Sequence, residues 1–282
     1  MVELSNFKPQ KEFFIGIDSD GTAFDSMTIK HTDSFIPMIF EVWGMEDKKQ
    51  EICELEEFIN LYSKLRGINR FPGLLLLFKE LKKRGIFDRD LTAFDEFCNS
   101  KVKMSNASLV DFIKTHDDAL LREVLKWSCG ADELFSKGTE SLKPFPSVAK
   151  ALEKASEFAD IVIVSSASAE GLKTDWERGG ILKFVTCLCG QEAGSKKQQL
   201  KAAAYGNYAS DKILMLGDAL GDLEAARSVG AHFYPIIPKK ENDCWDKFIA
   251  EGLDKFKDGS FAGVFEQSMI DEFDAGLPEY NL

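Results

Sequence analysis

An unbroken apolar run, Phe13-Phe14-Ile15-Gly16-Ile17, stops at Asp18. Short runs without alternation suit strands buried on both faces. The pattern returns four more times. Ile161-Val162-Ile163-Val164 ends at Ser165, residues 184–189 form a third run, Ile213-Leu214-Met215-Leu216 ends at Gly217-Asp218, and residues 232–237 form the last. Helical periodicity fills the spaces between them, over 147–157, 169–178, 196–205 and 223–228. Strands alternating with helices predict an α/β fold: a doubly wound, Rossmann-like parallel sheet.

One long stretch departs from this alternation. Residues 28–142 carry helical periodicity, over 51–65, 74–83, 93–103 and 107–127, and no strong strand signal. They predict an inserted α-helical domain. Leu142-Lys143-Pro144-Phe145-Pro146 follows, and its two prolines force extended backbone and mark a boundary. The expected division is 1–27 and 143–282 for the α/β core and 28–142 for the insert. The tail beyond about residue 241 is expected to be helical, with no assigned role.

Composition narrows the function classes. Among 282 residues, 35 Lys and Arg face 47 Asp and Glu, a formal net charge of −12. An acidic chain repels nucleic acid and anionic membranes, so neither is an expected partner. No apolar stretch approaches about twenty residues, the length that spans a bilayer, and the N-terminus lacks a signal pattern. The six cysteines form no Cys-x-x-Cys pair and read as reduced thiols, with Cys187 and Cys189 expected on opposite faces of a strand. A cytoplasmic location is expected.

The chemistry lies at the strand ends, where open α/β sheets bind ligands. The first strand ends in Asp18-Ser19-Asp20-Gly21-Thr22, the second in Ser165-Ser166, and the fourth in Gly217-Asp218-Ala219-Leu220-Gly221-Asp222. Gly194-Ser195-Lys196-Lys197 opens a helix between the last two. An EF-hand also begins Asp-x-Asp, but needs Gly at its sixth position and Glu at its twelfth; those positions are Ala23 and Ile29. A phosphate ester is an anion that resists a carboxylate nucleophile unless a divalent cation lies between them.

These four motifs, in this order, resemble those of the haloacid dehalogenase superfamily, with a helical insert like that of β-phosphoglucomutase and phosphoglycolate phosphatase. The resemblance implies a Mg²⁺-dependent phosphohydrolase acting on a small phosphorylated metabolite. It implies Asp18 as nucleophile, Asp20 as general acid and base, and Ser165 and Lys196 as holders of the phosphoryl oxygens. Mg²⁺ would be held by the carboxylates of Asp18 and Asp218 and the backbone carbonyl of Asp20, with Asp222 holding a metal-bound water or orienting the site. Asp222 could also cap the helix that follows. Lys197 remains an alternative to Lys196, although Lys196 follows Gly-Ser directly, and Thr22 is expected to bond its local turn.

In the superfamily an insert at this position is a cap that closes over the site. Its Gly67-Ile68-Asn69-Arg70 is similar to the substrate loop of β-phosphoglucomutase-like caps. Arg66, Arg70 and Ser166 are therefore candidate substrate-binding residues, although a helix–helix turn with solvated cations would read the same way. Superfamily members that cleave carbon–halogen or carbon–phosphorus bonds lack the second carboxylate of the first motif, so Asp20 points to phosphate esters. A phosphosugar mutase is the nearest alternative, but its histidine position carries Lys30, with His31 next door. A non-catalytic phosphate-binding protein is a second alternative. Oligomeric state is not legible.

Overall fold

The computed structural model describes residues 4–281 and divides into two compact units. The first comprises the chain up to Ser26 together with Leu142–Pro278. The second comprises Met27–Ser141 and the last residues from Glu279.

The first unit is built on five parallel strands: β1 (Phe13–Ile17), β2 (Ala159–Val164), β3 (Cys187–Cys189), β4 (Ile213–Gly217) and β5 (His232–Pro235). Their order is β3-β2-β1-β4-β5. The chain therefore winds outward from β1 in both directions, with the reversal between β1 and β4, where this class of sheet leaves a crevice beyond its strand ends. Ile17 pairs with Ile163 on one side and Leu216 on the other, so Asp18, Ser165 and Asp218 leave the sheet at the same edge. Every residue of β2 and β4 is buried, including Asp160 in the otherwise apolar β2.

Three expectations need correction here. The third apolar run gives only a three-residue strand, because residues 182–184 close into a 3₁₀ turn. Cys187 and Cys189 lie on the same buried face, with Leu188 between them on the other; side chains two apart on a strand share a face. The tail also has a place. Its helices Glu241–Lys247, Leu253–Asp258 and Val264–Gly276 pack on the first unit. Glu266 accepts from the Phe233 amide at 2.8 Å and meets His232 Nδ1 at 2.8 Å, anchoring the last helix to β5. Trp245, wholly buried, donates its indole N–H to the Thr22 carbonyl at 2.8 Å, beneath the first motif.

The second unit is all helical, around a core that includes Phe35, Ile39, Ile59, Phe78, Phe94, Leu121 and Trp127. The single helix expected over 107–127 is two, Asn106–Ile113 and Ala119–Gly138. Asp118 explains the break: its carboxylate accepts from the Leu121 amide at 3.0 Å and starts a new helix. The helix expected from 74 begins earlier, at Arg70, because Asn69 caps it through the Phe71 amide at 3.1 Å. Among the described residues no helix is long and apolar enough to cross a membrane.

Candidate active site

Asp18 is the first residue beyond β1, and its amide still joins the ladder through the Leu216 carbonyl at 3.0 Å. Its side chain is thus held by the sheet itself. One carboxylate oxygen accepts from the Ser19 amide at 2.7 Å. The other lies 2.7 Å from Lys196 Nζ. The same ammonium meets Asp222 Oδ1 at 2.6 Å. Asp218 joins from the end of β4, and one oxygen from each of Asp18, Asp218 and Asp222 lies within 4.8 Å of the others. All three aspartates are buried.

The electrostatics follow from that crowding. Burial raises the Asp18 carboxyl well above its ordinary range; Lys196 opposes the rise, and Asp222 and Asp218 add to it. Asp222 is raised mainly by burial too. Burial works against the Lys196 charge, but Asp18, Asp222 and Asp218 outweigh it, so the ammonium is held above its ordinary range. Three carboxylates thus share one lysine, and the surplus negative charge calls for a further cation. The donors are all hard oxygens, the set that suits Mg²⁺. The residues present fit that ion.

Local packing explains how Asp222 reaches the cluster. It sits in the first turn of the Leu220–Ser228 helix, and its second oxygen accepts from the Ala219 amide at 3.2 Å. The helix-terminal contact and the contact with Lys196 therefore coexist on one side chain. Gly217 makes room: a Cβ there would lie 2.3 Å from both Cβ and Cγ of Asp222. Thr22 differs from expectation. Its hydroxyl donates to Asp218 Oδ1 at 2.8 Å, joining the first motif to the fourth rather than serving its own turn. Trp176, which belongs to none of the four motifs, donates its indole N–H to Ser19 Oγ at 3.0 Å, behind the Asp18 loop.

The remaining candidates are placed as follows. Asp20 is half-buried, and its carboxylate accepts from the Ser26 hydroxyl. Ser165 is buried at the end of β2, whereas Ser166 is exposed. Lys197 pairs with Glu224 on the surface, which separates it from Lys196. Arg66 and Arg70 lie in the helical unit. Arg66 donates to the Leu61 carbonyl at 2.8 Å. Arg70 Nη1 bonds Asp132 Oδ1 at 2.6 Å and Ser128 Oγ at 2.9 Å, and the guanidinium lies over the Phe35 ring. His31 is buried against Glu56, with Nδ1 to Oε1 at 2.6 Å.

A parallel doubly wound sheet with carboxylates converging at its switch point defines a class of α/β hydrolases. The chain belongs to the haloacid dehalogenase-like hydrolase family, whose model matches residues 92–236, just over half of the sequence. That match takes in Ser165, Lys196, Asp218 and Asp222, while Asp18 and Asp20 precede it. A search of curated proteins returns no match. Among solved structures, a Haemophilus somnus protein named as a predicted phosphoglycolate phosphatase is 12% identical with a TM-score of 0.52, covering 86% of this chain and 99% of its own. A haloacid dehalogenase-like hydrolase of Streptococcus pneumoniae is 16% identical, with a TM-score of 0.46 over 83% of this chain and 90% of its own. A Thermotoga maritima protein, named provisionally as a β-phosphoglucomutase, is 15% identical, with a TM-score of 0.48 over 83% and 99%. At these identities the likeness concerns the fold alone.

The close approach at Gly217 makes a test of the packing. Gly217→Ala should destabilise the protein by about 1–3 kcal/mol, the usual cost of overpacking a filled site. Gly221→Ala meets no atom within 4 Å and lies within a helix, so it should be neutral or stabilising by up to about 1 kcal/mol. Urea midpoints for the two variants check this, and equal midpoints would refute the packing argument.

Proposed function

We propose that this hydrolase is a Mg²⁺-dependent phosphatase that cleaves a small phosphorylated metabolite through an aspartyl-phosphate on Asp18. The observation that carries the reading is the convergence of Asp18, Asp218, Asp222 and Lys196 at the switch point of the sheet, with a second carboxylate, Asp20, two residues after the nucleophile.

Asp18, Asp218 and Asp222 would hold the cation, with the Asp20 backbone carbonyl completing the protein's share. When bound, Mg²⁺ offsets the repulsion between carboxylate and phosphate and orients the ester for in-line displacement. Lys196 opposes the rise that burial imposes on Asp18 and so favours its ionised, nucleophilic form. An Asp18 oxygen attacks phosphorus, forming a P–O bond as the ester P–O bond breaks. The leaving alkoxide takes a proton from Asp20. Water then attacks phosphorus and gives its proton to Asp20, the bond to Asp18 breaks, and inorganic phosphate leaves. Ser165 and Lys196 stabilise the equatorial oxygens in both steps.

The helical unit interrupts the core between the first and second motifs, and its proposed role is that of a cap that selects the substrate. Arg66 and Arg70 of that unit, and Ser166 of the α/β unit, are the candidate substrate-binding residues. Nothing in the geometry favours the mutase alternative, since His31 is committed to Glu56. The full acidic set likewise argues against a protein that merely binds phosphate.

Three tests follow. Asp18→Asn should keep the fold but lose at least about a thousandfold in kcat on an aryl phosphate, as nucleophile variants do. Chelation should abolish wild-type turnover and added Mg²⁺ restore it. Asp18→Asn within about tenfold of wild type would sink the nucleophile assignment, and chelator-insensitive turnover the metal. Asp20→Ala should slow sugar phosphates far more than nitrophenyl phosphate, because only an alkoxide needs the proton; equal slowing would make Asp20 a structural part of the site. Arg70→Ala should lower kcat/KM for a substrate with a second anionic group by roughly tenfold to a hundredfold, leaving nitrophenyl phosphate unchanged. Equal loss on both would reduce Arg70 to a brace for Asp132 and Ser128.

A further inference from the structure

Gln199 lies one turn after Lys196 on the same helix, Lys196–Ala203, and is wholly buried. It carries no charge and belongs to none of the four motifs. Its amide nitrogen donates to three backbone carbonyls, those of Ser165, Gly190 and Gly194, each at 2.9 Å. Each acceptor belongs to a different part of the site's frame. Ser165 ends β2, Gly190 follows β3, and Gly194 precedes Ser195, the cap of the lysine helix.

The arrangement has one stable orientation. Two N–H groups face three acceptors, and turning the amide over would set its oxygen against all three carbonyls. The Gly190 carbonyl also accepts from the Ala193 amide at 2.9 Å, but only the Gln199 amide joins all three carbonyls, and a buried carbonyl that loses a donor is costly, so the three segments are held where this amide can reach them. A side chain at i+3 lies on the same helix face as Lys196. The clamp therefore fixes the rotation and depth of the helix that delivers Lys196 to Asp18 and Asp222, relative to the loop that carries Ser165.

We propose that Gln199 is a positioning residue for the hydrolytic reaction: it sets the distance between the two groups, Ser165 and Lys196, that receive the transferring phosphoryl. The inference rests on the phosphatase reading for its kinetic consequence but not for the clamp itself. Displacing such groups by about 1 Å can cost on the order of a hundredfold in rate. The loss falls on kcat, because these contacts strengthen as charge builds in the transition state.

The test is Gln199→Met, which keeps an unbranched side chain of similar length and removes the donor. Tyr208→Phe serves as control. It deletes the hydroxyl that bonds Asp160 Oδ2 at 2.7 Å at the opposite end of β2, so it loosens the same sheet away from the site. Both are assayed with nitrophenyl phosphate and Mg²⁺ well below their melting temperatures, and amide hydrogen exchange is followed over residues 190–196. Gln199→Met should lower kcat by about tenfold to a hundredfold with KM within about threefold, and speed exchange across 190–196. Tyr208→Phe should lower the melting temperature without either change. Unchanged exchange in Gln199→Met would overturn the clamp, whatever the activity. Faster exchange with wild-type kcat, or kcat losses matched by the control, would overturn the positioning role. A wild-type protein that releases no phosphate would defeat the phosphatase reading, while the exchange data still decide the clamp.

Discussion

Three buried carboxylates and one partly exposed ammonium crowd together at the strand ends. Taking charges out of water is expensive, and a pair recovers that cost only with good geometry and satisfied neighbours. One lysine between Asp18 and Asp222 leaves the set short of positive charge. Such a cluster persists in a folded protein only if the surrounding structure holds it, and a bound cation would complete its charge balance. The rest of the first unit can be understood as the apparatus that holds it.

That apparatus is mostly backbone and uncharged side chains. The sheet positions Asp18 through its own ladder, before any side chain acts. Gly217 lets the Asp222 side chain lie against the strand end. Thr22 reaches across to Asp218, while Trp176 and Trp245 grip the first-motif loop through Ser19 and the Thr22 carbonyl. Gln199 gathers the loops on the other side. Neutral hydrogen bonds suit this work. They orient carboxylates without cancelling the charge that the chemistry needs, whereas further lysines would neutralise the nucleophile's surroundings.

Much of this was legible in the chain, because strands buried on both faces must be apolar and reactive groups must interrupt them. β1 and β4 were read to within a residue, and the motif aspartates stand where those runs stop. What escaped has a common cause. The contacts of Trp245 and Glu266 join residues 223 and 33 positions from their partners, and no local period reports a pairing across such a span. Gln199 looks like any polar residue in a helix until three carbonyls are found around it. The split at Asp118 was missed for the opposite reason: the apolar period runs on through it, and a single capping carboxylate decides the break. Arg70 differs from expectation only in its local setting. It was singled out as a loop cation, yet it opens a helix and bonds its own unit.

In the proposed reaction the surroundings of Asp18 and Asp20, two residues apart, would divide the labour between them. Asp18 is buried, fixed by the Ser19 amide and paired with Lys196. A carboxylate so held can be an oriented nucleophile but is a poor proton carrier, since both its oxygens are committed. Asp20 is half-buried, with the Ser26 hydroxyl donating to it. It keeps access to water and can exchange a proton between the two half-reactions. A general acid that becomes a base within one cycle needs that access, and a nucleophile needs its absence. The turn at Gly21 and Thr22 provides both conditions within three residues, by leaving Asp18 on the ladder and carrying Asp20 off it. Moving either carboxylate to the other's setting would give a buried acid that cannot recharge or a solvated nucleophile that the sheet no longer aims.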